Sequence, residues 1–550
     1  MSSANPRWMA IFLAVLLIVL MAPFVLAQNL FVMIYEGDAL HTIDIVLRLV
    51  DGERQHIDFQ TPIGILSFLP AVLFMKLGLP FGASFIYGHL LFVLFAVPAI
   101  WWVALSRFGR FSGYWFAAAT LIVLASWSAG TDQASVTLAL HYNRWAWGLS
   151  FIAIAVAVMP PRIEGTARID GLILGGAMAS LALIKMTYFV AFAPIVLLAL
   201  LAQGRLRILG AAVVVGVAIA GVATLLGGVE FWRGYYADLQ WVRQSDVRSA
   251  PGLPIPELIV GAQYLGGTLL ALAGGLFVRQ SGRFVQGYSL ILLIPAFIFV
   301  TYQNFGNAPI WILLLPALYF GLRPDEEKRN GAGWDLRDAI GFVGAAAVAL
   351  SIPYLTNIFI TGFRHVGATG ETISIDFGAN PALRDVRVSE LRAFEVTATQ
   401  YLADPGNLFD EVRDFMDDEQ ITRVAREPDT FLGVRLPTCN LSNGLIATTV
   451  VLAKELEALS APVFVTDSVA QHWVFADVPR LKGSAPWNYG SLSGIENAKY
   501  IVVPTCVITP RYRTAILKEI EKTPGLNLSL THDTPLFRAY LIAWDTGADS

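Results

Sequence analysis

Residues 35–38 read YEGD and residues 56–64 read HIDFQTPIG, and an amphipathic segment lies between them. This acid-rich stretch separates two segments that are apolar enough to cross a bilayer. Carboxylates next to a membrane are costly to place, so they are candidates for chemistry rather than for packing. The sequence therefore predicts that the active site lies in this first loop, residues 28–61.

The middle of this loop has the pattern of an amphipathic helix. Apolar residues recur at helical spacing, at Ile43, Val46, Leu47 and Val50. Charged residues lie off that face, at Asp44, Arg48 and Asp51. Such a pattern favours a helix lying in the plane of the membrane interface, which would hold both acidic ends of the loop near the membrane.

The composition indicates a membrane protein. Of 550 residues, 55% are hydrophobic and only 15% are charged, and the mean hydropathy is +0.59. Soluble domains contain about 25% charged residues, so most of this chain is expected in lipid. The net charge is −4 and the sequence has no basic tract of the kind that binds nucleic acid.

Apolar runs long enough to span a bilayer recur up to Phe359, after which the composition becomes that of a soluble domain. The predicted spans are 8–27, 62–79, 84–105, 112–129, 145–160, 169–185, 187–203, 208–228, 257–278, 284–302, 308–322 and 338–357. We predict a polytopic α-helical membrane protein with about 11 to 13 transmembrane helices. Residues 1–359 form its membrane part and residues 360–550 a C-terminal extracytoplasmic α/β domain.

Short basic links mark the cytoplasmic side by the positive-inside rule, and they are Arg107/Arg110, Arg162/Arg168, Arg205/Arg207, Arg279/Arg283 and Arg323/Lys328/Arg329. The first loop and the C-terminal domain then face outward. Two full crossings between 62 and 105 would contradict the first of these links. Either one of the segments 62–79 and 84–105 is re-entrant, or one span is miscounted. The bend at residues 76–82 is the expected place.

The C-terminal part alternates strands and helices, which predicts an α/β sandwich with a partly parallel sheet. Its predicted strands are 462–467, 499–504, 526–530 and 537–543, and its predicted helices are 450–459 and 511–521. Both cysteines of the chain, Cys439 and Cys506, lie in this domain. In an exported domain such a pair is expected to form a disulfide.

The chain resembles the membrane glycosyltransferases of the C-type fold (GT-C) in the order of its first elements. These are a first span, an acidic motif, an amphipathic helix and "Asp-Phe-x-x-Pro-x-Gly" at 58–64. The resemblance covers about residues 8 to 205. It implies transfer of a sugar from a polyprenyl-phosphate carrier to an acceptor on the outer face of the membrane. It also implies that an acid of the first outer loop is the catalytic base. Asp38 matches by position, Glu36 is the close alternative, and Asp58 matches the second acidic position.

Two cations are candidates for holding the phosphate of the donor. Lys185 lies in the run Leu183-Ile184-Lys185-Met186-Thr187, which is similar to the "Leu-x-Lys-x-Thr" element of the same superfamily, although a lysine at a helix end also snorkels. Arg144 lies in an outer loop, against the positive-inside rule, and its planar fork suits a phosphate.

Further residues are candidates for binding the substrate because they are polar or aromatic and lie in predicted outer loops; they are His56, His141, Tyr142, Asn143, Gln303 and Asn304. Amides suit sugar hydroxyls and equally suit the capping of helix ends. Tyr142 and the neighbouring tryptophans are also typical of an aromatic belt. A further aromatic-rich amphipathic segment, 229–248, is expected on the outer membrane surface.

The predicted function is an inverting glycosyltransferase of the bacterial inner membrane. Its partners are a polyprenyl-phosphate-linked sugar, a cell-envelope glycan or lipid acceptor and membrane lipids, with no nucleic acid. The loop acids are also candidate ligands for a divalent cation such as Mg²⁺ or Mn²⁺, because hard cations take oxygen ligands. The sequence does not decide whether such a cation binds. The alternatives are a secondary transporter, whose charges bind substrate within the membrane, and a non-catalytic envelope assembly protein.

Overall fold

The structure is a computed structural model that describes residues 4–128, 136–248, 256, 260–303, 308–368, 370–399, 410–424, 430–437 and 439–545. The chain forms two compact units that do not follow the order of the sequence. The first unit contains Met1–Ile34, Ile63–Val229 and Ser249–Ala368, and the second contains Tyr35–Pro62, Glu230–Arg248 and Thr369–Ser550. The acidic loop therefore belongs to the same unit as the C-terminal residues.

The first unit is helical. Its α-helices are Pro6–Ala27, Leu69–Lys76, Phe81–Arg107, Arg110–Ala125, His141–Val158, Ala167–Ile184, Met186–Ala202, Leu206–Gln244, Ala262–Gln280, Phe284–Tyr302, Leu315–Leu322, Leu336–Phe359 and Thr361–Val366. Short 3-10 helices lie at Ile65–Ser67, Leu138–Leu140 and Ile310–Leu314, and a strand at Leu30–Val32. The helix that starts at Leu206 is interrupted at Gly228, whose φ of 74° and ψ of 179° are not helical. The residues after this break continue into the second unit.

The predicted polytopic membrane fold is confirmed. In the described part of the chain, 6 helices are long and apolar enough to cross a membrane: Pro6–Ala27, Phe81–Arg107, Ala167–Ile184, Leu206–Gln244, Phe284–Tyr302 and Leu336–Val366. Shorter apolar helical segments lie at Arg110–Ala125, Met186–Ala202 and Ile310–Leu322. Every predicted span except 62–79 coincides with helical structure.

The predicted span at 62–79 is wrong, because these residues form a 3-10 turn at Ile65–Ser67 and a helix at Leu69–Lys76. Eight residues of α-helix extend about 12 Å, far less than the roughly 30 Å of a bilayer core. The chain then turns back through Gly78, which has a φ of 92°, into the long helix Phe81–Arg107. With 62–79 no longer counted as a crossing, all the basic links fall on one side of the membrane.

The second unit combines helices and strands, as predicted. Its helices are Glu36–Val50, Glu390–Phe394, Asp418–Val424, Leu445–Leu456 and Pro510–Lys522, with 3-10 helices at Pro381–Leu383, Asp410–Phe415, Glu457–Leu459, Gln471–Val474 and Ile495–Asn497. Its strands are Thr372–Ser374, Val386–Ser389, Thr397–Thr399, Thr430–Phe431, Val434–Arg435, Asn440–Asn443, Val463–Val465, Tyr500–Pro504, Leu526–Asp533 and Phe537–Trp544.

The core of the second unit is a four-stranded mixed sheet. Val463–Val465 pairs in parallel with Tyr500–Pro504, and the remaining pairs, formed through Phe537–Trp544, are antiparallel. One face is covered by apolar side chains of the helix Pro510–Lys522, which pack with Phe464, Ile501 and Val503. The other face packs with the end of Leu445–Leu456, through Leu456, Val463 and Val502. The alternation of side chains along the strands thus explains the two helical layers.

The predicted disulfide Cys439–Cys506 is present, with the two Cα atoms 4.7 Å apart. It joins the residue before the strand Asn440–Asn443 to the loop that precedes the helix Pro510–Lys522. The bond therefore closes a loop of 67 residues around the first strand of the sheet.

We expect replacement of both cysteines by serine to destabilise the second unit. A closed loop of 67 residues restricts the unfolded chain by an amount worth roughly 4 kcal/mol in the entropic description. Denaturant unfolding of the full chain, followed by tryptophan fluorescence, measures the loss, and native protein treated with a reductant should match the double variant. Unchanged stability together with two free thiols in native protein would contradict this expectation.

Candidate functional site

The predicted helix of the acidic loop is present at Glu36–Val50, but it does not lie on a surface. Both its apolar and its charged faces are buried, and Asp44 and Arg48 are 1% and 2% exposed. His41 is buried too, against Trp487, and burial lowers its pKa to about 4. The charged face is therefore covered by the C-terminal part of the second unit and is not exposed to solvent.

The buried guanidinium of Arg48 explains how a charged face can be covered. Its Nε donates to Asp44 at 2.6 Å, its Nη1 to Glu53 at 2.9 Å and its Nη2 to the hydroxyl of Ser484 at 3.0 Å. The same group lies over the ring of Phe59, 5.6 Å from its centroid. Phe59 belongs to the 58–64 motif, so one side chain joins the helix, the motif and the C-terminal segment.

Arg480 extends this ion-pair network at the surface of the unit. It donates to Glu53 at 2.6 Å and to Asp51, and its guanidinium lies 3.7 Å from the ring centroid of Trp473. Buried or partly buried arginines with several partners are much less screened than single surface pairs. The end of the helix Glu36–Val50 is thus fixed by residues more than 400 positions later in the chain.

Glu36, one of the predicted catalytic acids, is bound by an arginine. Arg392 Nε donates to Oε1 at 2.5 Å and Nη2 to Oε2 at 2.9 Å, so both carboxylate oxygens are engaged. The hydrogen bond with Glu36 is the main reason why the pKa of Arg392 is raised. A bidentate pair of this kind holds a carboxylate in its charged form and in one orientation.

Asp38 lies in the same first turn and has a different setting. It is half-buried, its backbone N–H donates to Tyr35 O at 3.0 Å, and its carbonyl accepts from Thr42 Oγ1 at 3.0 Å. The pKa of the Tyr489 phenol is raised by burial and also by the negative charge of Asp38, which places this carboxylate near Tyr489. Acidic residues are common in the first turn of a helix, where the helix dipole favours negative charge.

Asp58 and His56 stabilise the motif loop itself. Asp58 accepts from the backbone N–H and the Nε of Arg54, at 2.7 and 3.3 Å. Burial raises the pKa of Asp58, but the hydrogen bonds from Arg54 outweigh it and the net shift is downward. His56 is buried, with Nδ1 2.7 Å from Asp238 Oδ2 and its ring stacked on Tyr235. Asp238 also accepts from the N–H of Thr61, so the helix after Gly228 holds this loop.

In the first unit the structure brings three of the predicted site residues together. Lys185 Nζ donates to Asn143 Oδ1 at 2.9 Å and lies 5.2 Å from the ring centroid of Tyr142. Lys185 is not helical, with φ −155° and ψ 105°, and separates the helix that ends at Ile184 from the helix that begins at Met186. Its backbone therefore caps the start of one helix, while its ammonium group contacts the first turn of another, His141–Val158.

The other predicted site residues of the first unit are bound to the backbone. Arg144 is fully buried, and its Nε and Nη2 donate to the carbonyl of Ser128 at 3.1 and 2.7 Å. The ring nitrogens of His141 face the carbonyls of Leu138 and Ser67. Gln303 follows the helix Phe284–Tyr302 as its C-cap, where its backbone N–H donates to Phe299 O at 2.9 Å. Asn304 lies outside the described residues.

The loop acids do not gather into a metal site in the part of the chain that the structure describes. No group of three or more His, Cys, Asp or Glu side chains there could hold a metal ion. Arg392 pairs with Glu36, and Arg54 pairs with Asp58.

Comparison with known proteins gives one structural likeness. No family model and no curated protein matches the sequence. The crystal structure of ArnT from Cupriavidus metallidurans bound to undecaprenyl phosphate is similar over 98% of this chain and 98% of that chain, with 12% sequence identity and a TM-score of 0.44. At this identity and TM-score the likeness assigns no function to residues of this chain.

The partners of the site residues were missed by sequence reasoning. Arg392, Arg480 and Asp238 each pair with the first loop from distant positions, and no local spacing connects them. A weak signal existed for Asp238 alone, because it lies in the aromatic-rich segment 229–248 that the sequence singled out.

Gly64, the last residue of the motif, fixes the chain next to Lys185. Its N–H donates to Ile184 O at 2.9 Å. A Cβ at this position would lie 2.1 Å from the carbonyl oxygen of Leu183, which is a backbone atom that cannot rotate away. The glycine is therefore required for close approach of two backbones, and it helps to position Lys185.

We expect Gly64→Ala to displace residues 183–185 and to destabilise the protein by about 1–3 kcal/mol, the usual cost of overpacking. Thermal unfolding in nanodiscs measures the loss, and the rate of acylation of Lys185, followed by mass spectrometry, should rise. Gly176→Ala is the matched control, because Gly176 lies in the adjoining helix with nothing within 4 Å of its added Cβ. Equal behaviour of the two variants would contradict the positioning role of Gly64.

Proposed function

We propose that this chain is an integral membrane glycosyltransferase. It transfers a sugar from a polyprenyl-phosphate carrier to a cell-envelope glycan or lipid, with inversion at the anomeric carbon. Asp38 is the base, and Lys185 with Asn143 binds the phosphate of the donor. The transfer takes place on the outer face of the membrane, where the second unit lies.

The observation that carries this proposal is the setting of Lys185. Its backbone is the N-cap of the helix Met186–Ala202, and its ammonium group reaches Asn143 in the first turn of the helix His141–Val158. The backbone N–H groups of a first helical turn have no intrahelical partners and the helix dipole is positive there, so a helix N-terminus attracts anions. A lysine at the same place adds a full positive charge, and a lysine binds phosphate as a point charge.

Asn143 and Tyr142 orient the lysine. The amide oxygen of Asn143 accepts a hydrogen bond from Nζ at 2.9 Å, and the ring of Tyr142 lies 5.2 Å away. Charge placed within a membrane-spanning region is costly, and a phosphate ligand offsets that cost.

The contacts of the loop acids favour Asp38 over Glu36 as the base. A base must be able to accept a proton from the acceptor hydroxyl, at hydrogen-bond distance. Glu36 has both oxygens bound by Arg392, so its carboxylate is already engaged in a bidentate pair. Glu36 is then a positioning residue that fixes the first turn of the helix, and Asp38 follows two residues later.

The proposed reaction is a single displacement. Asp38 takes the proton of the acceptor hydroxyl while that oxygen forms a bond to the anomeric carbon. The bond between this carbon and the phosphate oxygen breaks, and both electrons leave with the polyprenyl phosphate. The charge that develops on the leaving phosphate is stabilised by Lys185, which is the principal electrostatic contribution expected of the protein.

The roles of Asp38 and Lys185 predict different kinetic defects. Asp38→Asn should lower kcat with little change in donor affinity, because a base acts mainly in the transition state. Lys185→Ala should weaken donor binding and also slow transfer. Loss of one charge-assisted contact corresponds to about ten- to a hundredfold. The measurements are transfer from a synthetic polyprenyl-phosphate sugar and, separately, donor binding.

Two exposed residues provide controls of matched charge, Lys76→Ala in the first unit and Glu455→Gln in the second, and both should behave as native. If Asp38→Asn retains turnover and Glu36→Gln abolishes it, Glu36 is the base. If neither change affects transfer, the acidic loop is not the active site. A scaffold protein would show no transfer in any of these samples, including the native one.

A further inference from the structure

An open cleft of about 880 Å³ lies entirely within the second unit and is not part of the groups described above. It is bordered by the exposed face of the helix Pro510–Lys522, by the residues that follow the helix break at Gly228 and by the segment around Tyr489. Its volume falls within the range of ligand-binding sites, roughly 300–1,000 Å³.

Two aromatic side chains, Trp241 and Tyr489, line the cleft with their ring centroids 5.5 Å apart and their planes at 73°. The hydroxyl of Ser245 donates to Tyr489 O at 2.6 Å, so the two segments that carry the rings are tied together. Rings that are fixed before binding cost little entropy when a ligand arrives. Aromatic side chains offer an apolar face beside a polar edge, which matches a sugar ring with its C–H face and its hydroxyl rim.

The charges of the cleft are balanced. Three cationic and three anionic side chains line it: Arg511, Lys518 and Lys522, and Asp246, Glu519 and Glu521. Lys522 pairs with Glu519 at 2.8 Å. A site for a polyanion would carry an excess of positive charge, because complementary potentials determine which partner is accepted. Equal numbers of positive and negative side chains, together with hydroxyl groups, instead suit the many hydroxyl groups of a neutral carbohydrate.

One segment connects the cleft with the helix that carries the proposed base. Residues 489–492 line the cleft. The ring of Trp487, two residues before Tyr489, lies against Gly37, since a Cβ added at Gly37 would lie 3.4 Å from it. Residues 487–492 therefore contact both the cleft and the first turn of the helix Glu36–Val50.

We propose that this cleft binds a neutral oligosaccharide, which is the glycan acceptor of the transfer. The role of this oligosaccharide as the acceptor rests on the proposed function. Its binding to the cleft does not. Trp241 is the central contact, and the face of Pro510–Lys522 supplies hydrogen bonds to the sugar hydroxyls.

The test uses the full chain in nanodiscs and short neutral oligosaccharides of hexoses and of pentoses as probes. Saturation-transfer NMR and tryptophan fluorescence should show saturable binding of at least one of them. Trp241→Ala should weaken it about tenfold or more, the effect of losing a central aromatic contact, and Trp241→Phe should restore most of it. Trp544→Ala is the matched control, because Trp544 is an exposed tryptophan of the same unit outside the cleft.

Three results would overturn the proposal: no saturable binding of any neutral probe, equal binding by Trp241→Ala and Trp544→Ala, or tighter binding of a phosphorylated oligosaccharide than of its neutral parent.

Binding needs no donor, so it separates this proposal from the transferase proposal. Binding of neutral oligosaccharides without any transfer would support the proposed binding site and contradict the transferase function. Transfer without such binding would support the transferase function and contradict the proposed binding site. Where both hold, Trp241→Ala should raise the KM for a glycan acceptor and leave donor affinity unchanged.

Discussion

The buried guanidinium of Arg48 is the interaction on which the second unit depends. It donates to Asp44 and Glu53 from a position that is 2% exposed and also contacts Ser484 and Phe59. Removing one partner of such a buried pair costs about 3–5 kcal/mol, because the other charge is left uncompensated. The helix Glu36–Val50, the motif loop and the C-terminal residues are therefore folded as one body, although the intervening chain forms most of the first unit.

This arrangement explains why an acid-rich loop next to a membrane span is tolerated. Each charge on it has a defined partner or position: Asp44 and Glu53 with Arg48, Glu36 with Arg392, and Asp58 with Arg54. Asp38 lies in the first helical turn near Tyr489. In the proposed mechanism the paired acids position the loop and Asp38 carries out the proton transfer. The cation that balances the leaving phosphate, Lys185, lies in the first unit at a separate helix start.

The elements that could be predicted from the sequence are those set by local pattern. Long apolar runs gave the spans, and alternating strands and helices gave the mixed sheet that lies between two helical layers. The segment 62–79 was mistaken for a span because its composition is apolar. Gly64 instead lets the chain approach the backbone of Leu183, and Pro70 lies in the first turn of a helix of only eight residues. Length alone could not separate these cases.

The contacts of the site were less predictable, because they join residues hundreds of positions apart. Glu36 and Arg392 are separated by 356 positions, and Arg48 and Ser484 by 436. Amphipathic spacing in residues 43–50 correctly predicted a helix, but it does not say whether water, lipid or protein covers the charged face. The cover is protein here, since Ser484, Gln471 and Trp473 lie against Asp44 and Arg48.

Hydrogen exchange of the full chain in nanodiscs, comparing native protein with Arg48→Met, tests most directly whether the acidic helix is an integral part of the second unit. The native helix Glu36–Val50 should exchange slowly. The variant should accelerate exchange in this helix and in residues 471–484 together, by a hundredfold or more if about 3–5 kcal/mol is lost. Arg54→Met, at a side chain that is 65% exposed, should change neither segment. Fast exchange of the native helix, or acceleration confined to residues 36–50, would contradict the claim that the two segments fold together.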